Sequence, residues 1–204
     1  ADFFFFFLGQ DATQLGLNAA AVAQDLGVGI EIDYEENTSP DLVGLQAFID
    51  AYRSVLPYDA TGNNHAARLT IDLAAGDRYL IGICAKATAD WLNTSNPVLD
   101  YANAMVTARP YRKGQDAIDN WQEHLDGKPQ YAPPIPPLAP AKFTAGLYVA
   151  YTSVLENCSD FYNSITYETA NYVETAAPNG AGVTFGLLGY MFWAAELPGT
   201  RTVP

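Results

Sequence analysis

The chain is 204 residues long and carries 10 Lys and Arg against 23 Asp and Glu, a formal charge of −13 with a pI near 4.2. Hydrophobic residues make up 49% of it, enough for one sizeable core and too much for a disordered tail. The acid excess excludes a nucleic-acid backbone binder, whose affinity comes largely from Lys and Arg on phosphates. No apolar run approaches the roughly 18 to 20 residues that span a bilayer, so neither nucleic acid nor membrane is an expected partner.

The longest apolar block is Phe3 to Leu8. It lacks a basic flank and a small-residue cleavage site, so it does not read as a signal peptide; it suits a buried strand or the start of a helix. Exposed, it would be an aggregation-prone window, and something is expected to cover it. The first 26 residues read as a helix, with Leu15, Ala19, Val22, Ala23 and Leu26 at three- and four-residue spacing and Gly27 ending it. Val28 to Glu35 then alternates with period two: Val28, Ile30, Ile32 and Tyr34 on one face, Gly29, Glu31, Asp33 and Glu35 on the other. Three carboxylates on one strand face are costly unless that face meets a solvated or functional cavity.

Ser39-Pro40-Asp41 reads as a helix start with Ser39 as N-cap, and Leu42, Leu45, Phe48, Ile49, Tyr52 and Leu56 mark the helix that Pro57 stops. Residues 66–75 form a β-like run, Asp100 to Arg109 a further strand, and Gly114 to Leu125 an amphipathic helix through Ala117, Ile118, Trp121 and Leu125. The six prolines of residues 129–140 make a stiff, extended segment, read as a rigid loop packed on the surface in preference to a PxxP recognition motif. Phe143 to Tyr151 is a strand, Ser164 to Ala177 a helix, and Val183 to Ala195 a last strand run. Strands separated by helices indicate βαβ units and a parallel sheet in one domain, 1–204.

Cys84 and Cys158 are able to form one disulfide, and with His65 and His124 near neither, a metal site is not expected. Sequons begin at Asn37, Asn93 and Asn157, the first two in loop-like stretches. An acidic chain with a possible disulfide and glycosylatable loops points to a secreted protein.

The segment Gly29-Ile30-Glu31-Ile32-Asp33-Tyr34-Glu35 resembles the D-G-x-D-x-D-x-E signature of family-18 glycoside hydrolases, the chitinases and endo-β-N-acetylglucosaminidases. Asp100-Tyr101-Ala102-Asn103-Ala104-Met105 looks like the sixth strand of that family, and Gly189-Tyr190-Met191-Phe192-Trp193-Ala194 like the eighth. The resemblance implies an α/β fold, a (β/α)8 TIM barrel of which this chain supplies strands four to eight. The signature begins at residue 28, so the first three βα units are expected on a missing segment, another fragment or a partner. Phe3 to Phe7 would pack against that part.

The same resemblance implies cleavage of a β-1,4 bond at N-acetylglucosamine, in the N-glycan core or in chitin, without a cofactor. Glu35 is then the acid and later the base, Asp33 orients the substrate's acetamido group, and Glu31 tunes Asp33. Trp193 would lie under the sugar, with Met105 and Tyr190 lining the site and Asp72 and Arg109 meeting substrate hydroxyls from the barrel rim. Departures are specific. Val28 replaces the first Asp of the pattern, Glu31 the middle one, and Thr107 the tyrosine that would hold the acetamido oxygen, a role left to Tyr148 or Tyr190. The absent Trp and Tyr-Pro continuation favours an endo-β-N-acetylglucosaminidase over a chitinase. The rival reading is a barrel that has lost catalysis and acts as a carbohydrate-binding, lectin-like or inhibitor protein.

Overall fold

The computed structural model describes residues 11–74, 80–105, 114–148 and 167–193. In chain order the regular elements are α1 (Ala12–Leu26), β1 (Ile30–Ile32), α2 (Leu42–Val55), β2 (Leu69–Leu73), α3 (Ile81–Lys86), β3 (Ala102–Ala104), α4 (Gly114–Asp126), β4 (Phe143–Tyr148), α5 (Tyr167–Thr175) and β5 (Tyr190–Trp193). Each strand after β1 follows a helix and pairs in parallel with the strand before it, giving one curled five-stranded sheet in the order β1-β2-β3-β4-β5. Sequential parallel strands with helical crossovers make this an α/β fold, and among the described residues β1 and β5 are the outer strands of the sheet. Among the described residues no helix is long and apolar enough to cross a membrane.

The helix-facing side of the sheet is apolar. Leu69, Ile71 and Leu73 of β2, Ala102 and Ala104 of β3, and Phe143, Ala145 and Leu147 of β4 are all buried there, with Ile71, Ala102 and Phe143 in one register row. Burial of several such side chains, at about 1.5–3 kcal/mol each, is the main driving force for the layer. Gly146 allows the β3–β4 pair to close, because a Cβ there would overlap the Ala104 carbonyl.

Helix α1 turns a different face inward from the one its leucines predict. Ala12, Gly16, Ala20 and Ala23 are buried, while Val22 and Leu26 stand out at 47% and 64% exposure. The reason is close packing on α2: a Cβ on Gly16 would come within 2.3 Å of the Phe48 carbonyl oxygen, so the small-residue face must be the contact. Gly27 ends the helix in the left-handed region at φ 66°. Helix α2 is capped by Asp41, not by Ser39; the Asp41 carboxylate accepts from Gly44 N at 2.8 Å.

The sequence reading misses α3, which continues as a π-helical turn over Ala87–Leu92 and buries Ile83, Cys84, Ala87, Trp91 and Leu92. Trp91 Nε1 donates to Gln46 Oε1 of α2 at 2.7 Å. Cys84 is a buried free thiol within this apolar layer, pushed by burial up to about 12, and Cys158, with which it was able to pair, lies outside the described residues. The strands are shorter than read: β1 stops at Ile32, and β5 begins only at Tyr190 because Gly186 and Gly189 take positive φ in the run before it.

One polar staple fixes the starts of β2 and β3. Arg53, at the end of α2, donates to the carbonyls of Val98 at 2.6 Å, Leu56 at 3.2 Å and Ala67 at 2.5 Å, and pairs with Asp100 at 3.0 Å. Asp100 also accepts from Leu69 N at 2.7 Å, so one ion pair holds the starts of β2 and β3. The proline segment packs as a surface loop, though not an extended one. Lys128 and Ile135 bridge in antiparallel fashion, Ile135 and Leu138 are buried, and Asn93 clasps Pro137 O and Ala139 N.

Candidate active site

On a strand, residues i and i+2 share a face. The face away from the helices carries Thr70 and Asp72 from β2, Asn103 from β3, and Thr144 and Gly146 from β4, with Glu31 from β1 reaching the same row. Register puts Glu31 opposite Thr70, and Asp72, Asn103 and Thr144 side by side. Parallel strands buried on both faces are ordinarily continuous apolar runs. Here Thr70, Asp72, Asn103 and Thr144 are 3% to 7% exposed, so the sheet accepts four buried polar side chains whose desolvation must be offset by hydrogen bonds.

Asn103 Nδ2 donates to Glu31 Oε1, and Thr144 Oγ1 donates to Asn103 Oδ1 at 2.5 Å. Asp72 hydrogen-bonds to both Glu31 and Asn103. Burial, then the charge of Glu31 and their shared hydrogen bond, hold the Asp72 carboxyl well above the usual carboxylate range. Its Oδ1 is buried without a partner.

Asp33 and Glu35 lie just past the carboxyl end of β1, Asp33 half-buried and Glu35 exposed. They hydrogen-bond to each other. Burial first, then the Glu35 charge and hydrogen bond, then the Glu31 charge, push Asp33 up to about 6. Of the two carboxyls, Asp33 is therefore the one that keeps a proton to higher pH than a free carboxylate does. Tyr34, on the other face, is structural: its hydroxyl accepts from Asp41 N at 3.0 Å and pins the residue that caps α2.

The remaining predicted residues divide. Met105, half-buried, follows Asn103 by two positions at the end of β3, tied by its N–H to Leu73 O at 2.8 Å. Trp193 closes β5, in register with Tyr148. Tyr190 belongs to the opposite face: its ring packs edge-on to buried Trp121 of α4 at 6.2 Å and stacks on Phe192 at 5.9 Å. Alternation along β5 enforces this, and removes Tyr190 from the positions able to meet a ligand beside Asp33. Nor is Asp72 a rim residue; it lies within the sheet, behind Glu31.

Arg109, Thr107, Asn157, Cys158 and the Phe3 to Leu8 block lie outside the described residues. Asn37 and Asn93 are exposed in loops. His65 is exposed in a short 3-10 turn, while His124 is buried on the inner side of α4, 4.7 Å from the Phe143 ring, its Nε2 without a partner.

Sequence reasoning overlooks Asn103 and Thr144 as chemistry-bearing residues. The available signal is a polar residue at alternate positions of otherwise apolar strands, Thr70 and Asp72 in LTIDL, Asn103 in ANA, Thr144 in FTAGLY. In open α/β sheets ligands bind outside the carboxyl ends of the strands, and Asp33, Glu35, Met105 and Trp193 all lie at those ends. No family model, no curated protein and no solved structure matches the chain.

Proposed function

We propose that the chain is a glycosidase of the substrate-assisted type that cleaves β-1,4 bonds at N-acetylglucosamine, an endo-β-N-acetylglucosaminidase in preference to a chitinase. The curled sheet would then be strands four to eight of a (β/α)8 barrel, with further strands added at the open edges of β1 and β5. The observation that carries the reading is the hydrogen-bonded Asp33–Glu35 pair past the carboxyl end of β1, in which Asp33 is pushed up to about 6 and so keeps a proton well above the usual carboxylate range. Glycoside cleavage needs such a proton for the leaving oxygen.

In the proposed reaction Glu35 gives its proton to the glycosidic oxygen as the bond from that oxygen to C1 breaks. The substrate's own acetamido oxygen bonds to C1 in its place, forming an oxazolinium ion. Asp33 accepts a hydrogen bond from the acetamido N–H and balances the developing positive charge. Water then attacks C1, returns a proton to Glu35 and reopens the ring. Neither a metal nor a cofactor enters these steps. The exposed sequon at Asn37 supports the accompanying proposal that the protein is secreted, whereas the Asn93 amide is engaged with Pro137 and Ala139.

Glu35→Gln is expected to abolish release of high-mannose glycan from a denatured glycoprotein, measured by mass spectrometry of the freed glycan. A thiazoline mimic of the oxazolinium ion is expected to bind the wild type tightly by calorimetry. Failure of the mimic to bind sinks the substrate-assisted route. One observation favours a second reading, that of a carbohydrate-binding protein without turnover. Tyr190, one of two tyrosines available to replace the hydroxyl lost at Thr107, is spent against Trp121. Binding of chito-oligosaccharide with no product over days would decide for that reading.

A further inference from the structure

The proposed reaction uses Asp33 and Glu35 directly and leaves the buried row of β2, β3 and β4 without a role. That row is costly. Asp72 is 7% exposed with one carboxyl oxygen unpartnered, in a sheet position that an aliphatic side chain would fill without penalty.

Its hydrogen bonds have one consistent direction. The Thr144 hydroxyl donates to Asn103 Oδ1, which leaves the Asn103 NH2 group facing Glu31 and Asp72. A flipped amide would set its oxygen against two carboxyl groups, so Thr144 selects the amide orientation. With two N–H groups, Asn103 serves Glu31 and Asp72 together, and the Glu31–Asp72 hydrogen bond closes the triangle. The groups around it are Glu31, Asp33 and Glu35 from β1 and its carboxyl end, Tyr101 and Arg68 ahead of β3 and β2, and Thr144 from β4.

We propose that Asp72, Asn103 and Thr144 are positioning residues that clamp the Glu31 side chain against the Asp33–Glu35 pair. The clamp is a geometric claim about the sheet; its catalytic meaning rests on the glycosidase reading. Glu31 springs from an outer strand and is exposed, so without the row its long side chain has nothing among the described residues to hold it in register. A clamped Glu31 keeps its charge beside Asp33 and so helps to retain the proton of the pair.

The test is a carbon-13 carboxyl NMR titration of Asp33 in the full chain, comparing wild type with Thr144→Val, Thr144→Ser, Asp72→Leu and Asp72→Asn. Thr144→Val is nearly isosteric and keeps the fold, but releases the Asn103 amide; Asp72→Leu removes the partner of Glu31. Both are expected to lower the Asp33 midpoint by about half a pH unit. Thr144→Ser retains the hydroxyl and Asp72→Asn retains a donor, so both are expected to keep the wild-type midpoint. In glycan release, Thr144→Val is expected to lower kcat about tenfold with KM unchanged. An Asp33 midpoint unmoved in Thr144→Val and Asp72→Leu overturns the proposal, as does an equal shift in the two conservative variants. A shifted midpoint in a protein without glycan-releasing activity upholds the clamp and overturns the glycosidase reading alone.

Discussion

Asp33 and His124 are displaced from their ordinary titration ranges by the same cause, burial, with opposite consequences for charge. Burial and the nearby Lys128 charge hold His124 down at about 3, so the ring is neutral throughout the useful pH range and packs on Phe143 as an apolar disc. Its proton NMR signals are expected not to titrate between pH 7 and pH 4; a midpoint near the ordinary value of about 6.5 would contradict the buried placement. Asp33, raised to about 6, costs stability wherever the unfolded chain ionises it more readily. That cost sets in above the unfolded value near 3.8, grows until about pH 6 and is constant beyond. Asp33→Asn is therefore expected to gain about 1–2 kcal/mol at pH 7, discounted for its partial exposure, and nothing at pH 4. Urea unfolding at the two pH values measures the difference. The carboxyl pair was legible in the sequence because Asp33 and Glu35 stand at i and i+2 of a period-two run, although the pair lies just past the end of β1. Which carboxyl would be pushed up was not, since that depends on how deeply each is buried.

Among the elements, the tie between α2 and the starts of β2 and β3 is the most exposed to mutation. Arg53 is half-buried against three carbonyls and Asp100, and removing it leaves the Asp100 carboxylate partly desolvated with, among the described residues, Leu69 N to serve it. Arg53→Met is expected to cost about 3–5 kcal/mol, a clear fall in the thermal midpoint by calorimetry. The α1–α2 contact carries a different sensitivity. Gly16→Ala places a methyl group against the Phe48 carbonyl and is expected to destabilise by about 1–3 kcal/mol, although alanine favours helix over glycine. Helix α1 itself was readable from its periodicity, but its buried face was not. Hydrophobicity favoured Val22 and Leu26, whereas the close approach to α2 demanded small residues. Helix α3 was missed although Ile83, Ala87 and Trp91 repeat every four residues; its π-helical turn and the short sequence between two strands obscured the pattern.

For the molecule as a whole, the two kinds of buried titratable group oppose each other. His124 contributes stability in full above about pH 6.5 and loses it progressively toward pH 3, because the unfolded state then binds the extra proton. Asp33 and Asp72 act in the reverse sense from about pH 4 upward. The wild type is expected to lose stability as the pH rises from 4 to 6, because two raised carboxyls outweigh one histidine. Asp33→Asn combined with Asp72→Asn is expected to expose the histidine slope, about 1.4 kcal/mol per pH unit, rising with pH. Equal slopes in the two proteins would contradict the assignment. The sequence by itself determined the α/β alternation, the approximate places of all five strands, helix α4 nearly to the residue and the carboxylates in and just past β1, since these follow from periodicity and from neighbours a few positions apart. Only the tertiary structure decided that Asp72, Asn103 and Thr144 meet Glu31, that Tyr190 turns to the helices and that Cys84 stays a buried thiol. Those outcomes depend on register between strands and on which atoms are desolvated. Both are set by contacts between residues far apart in the chain.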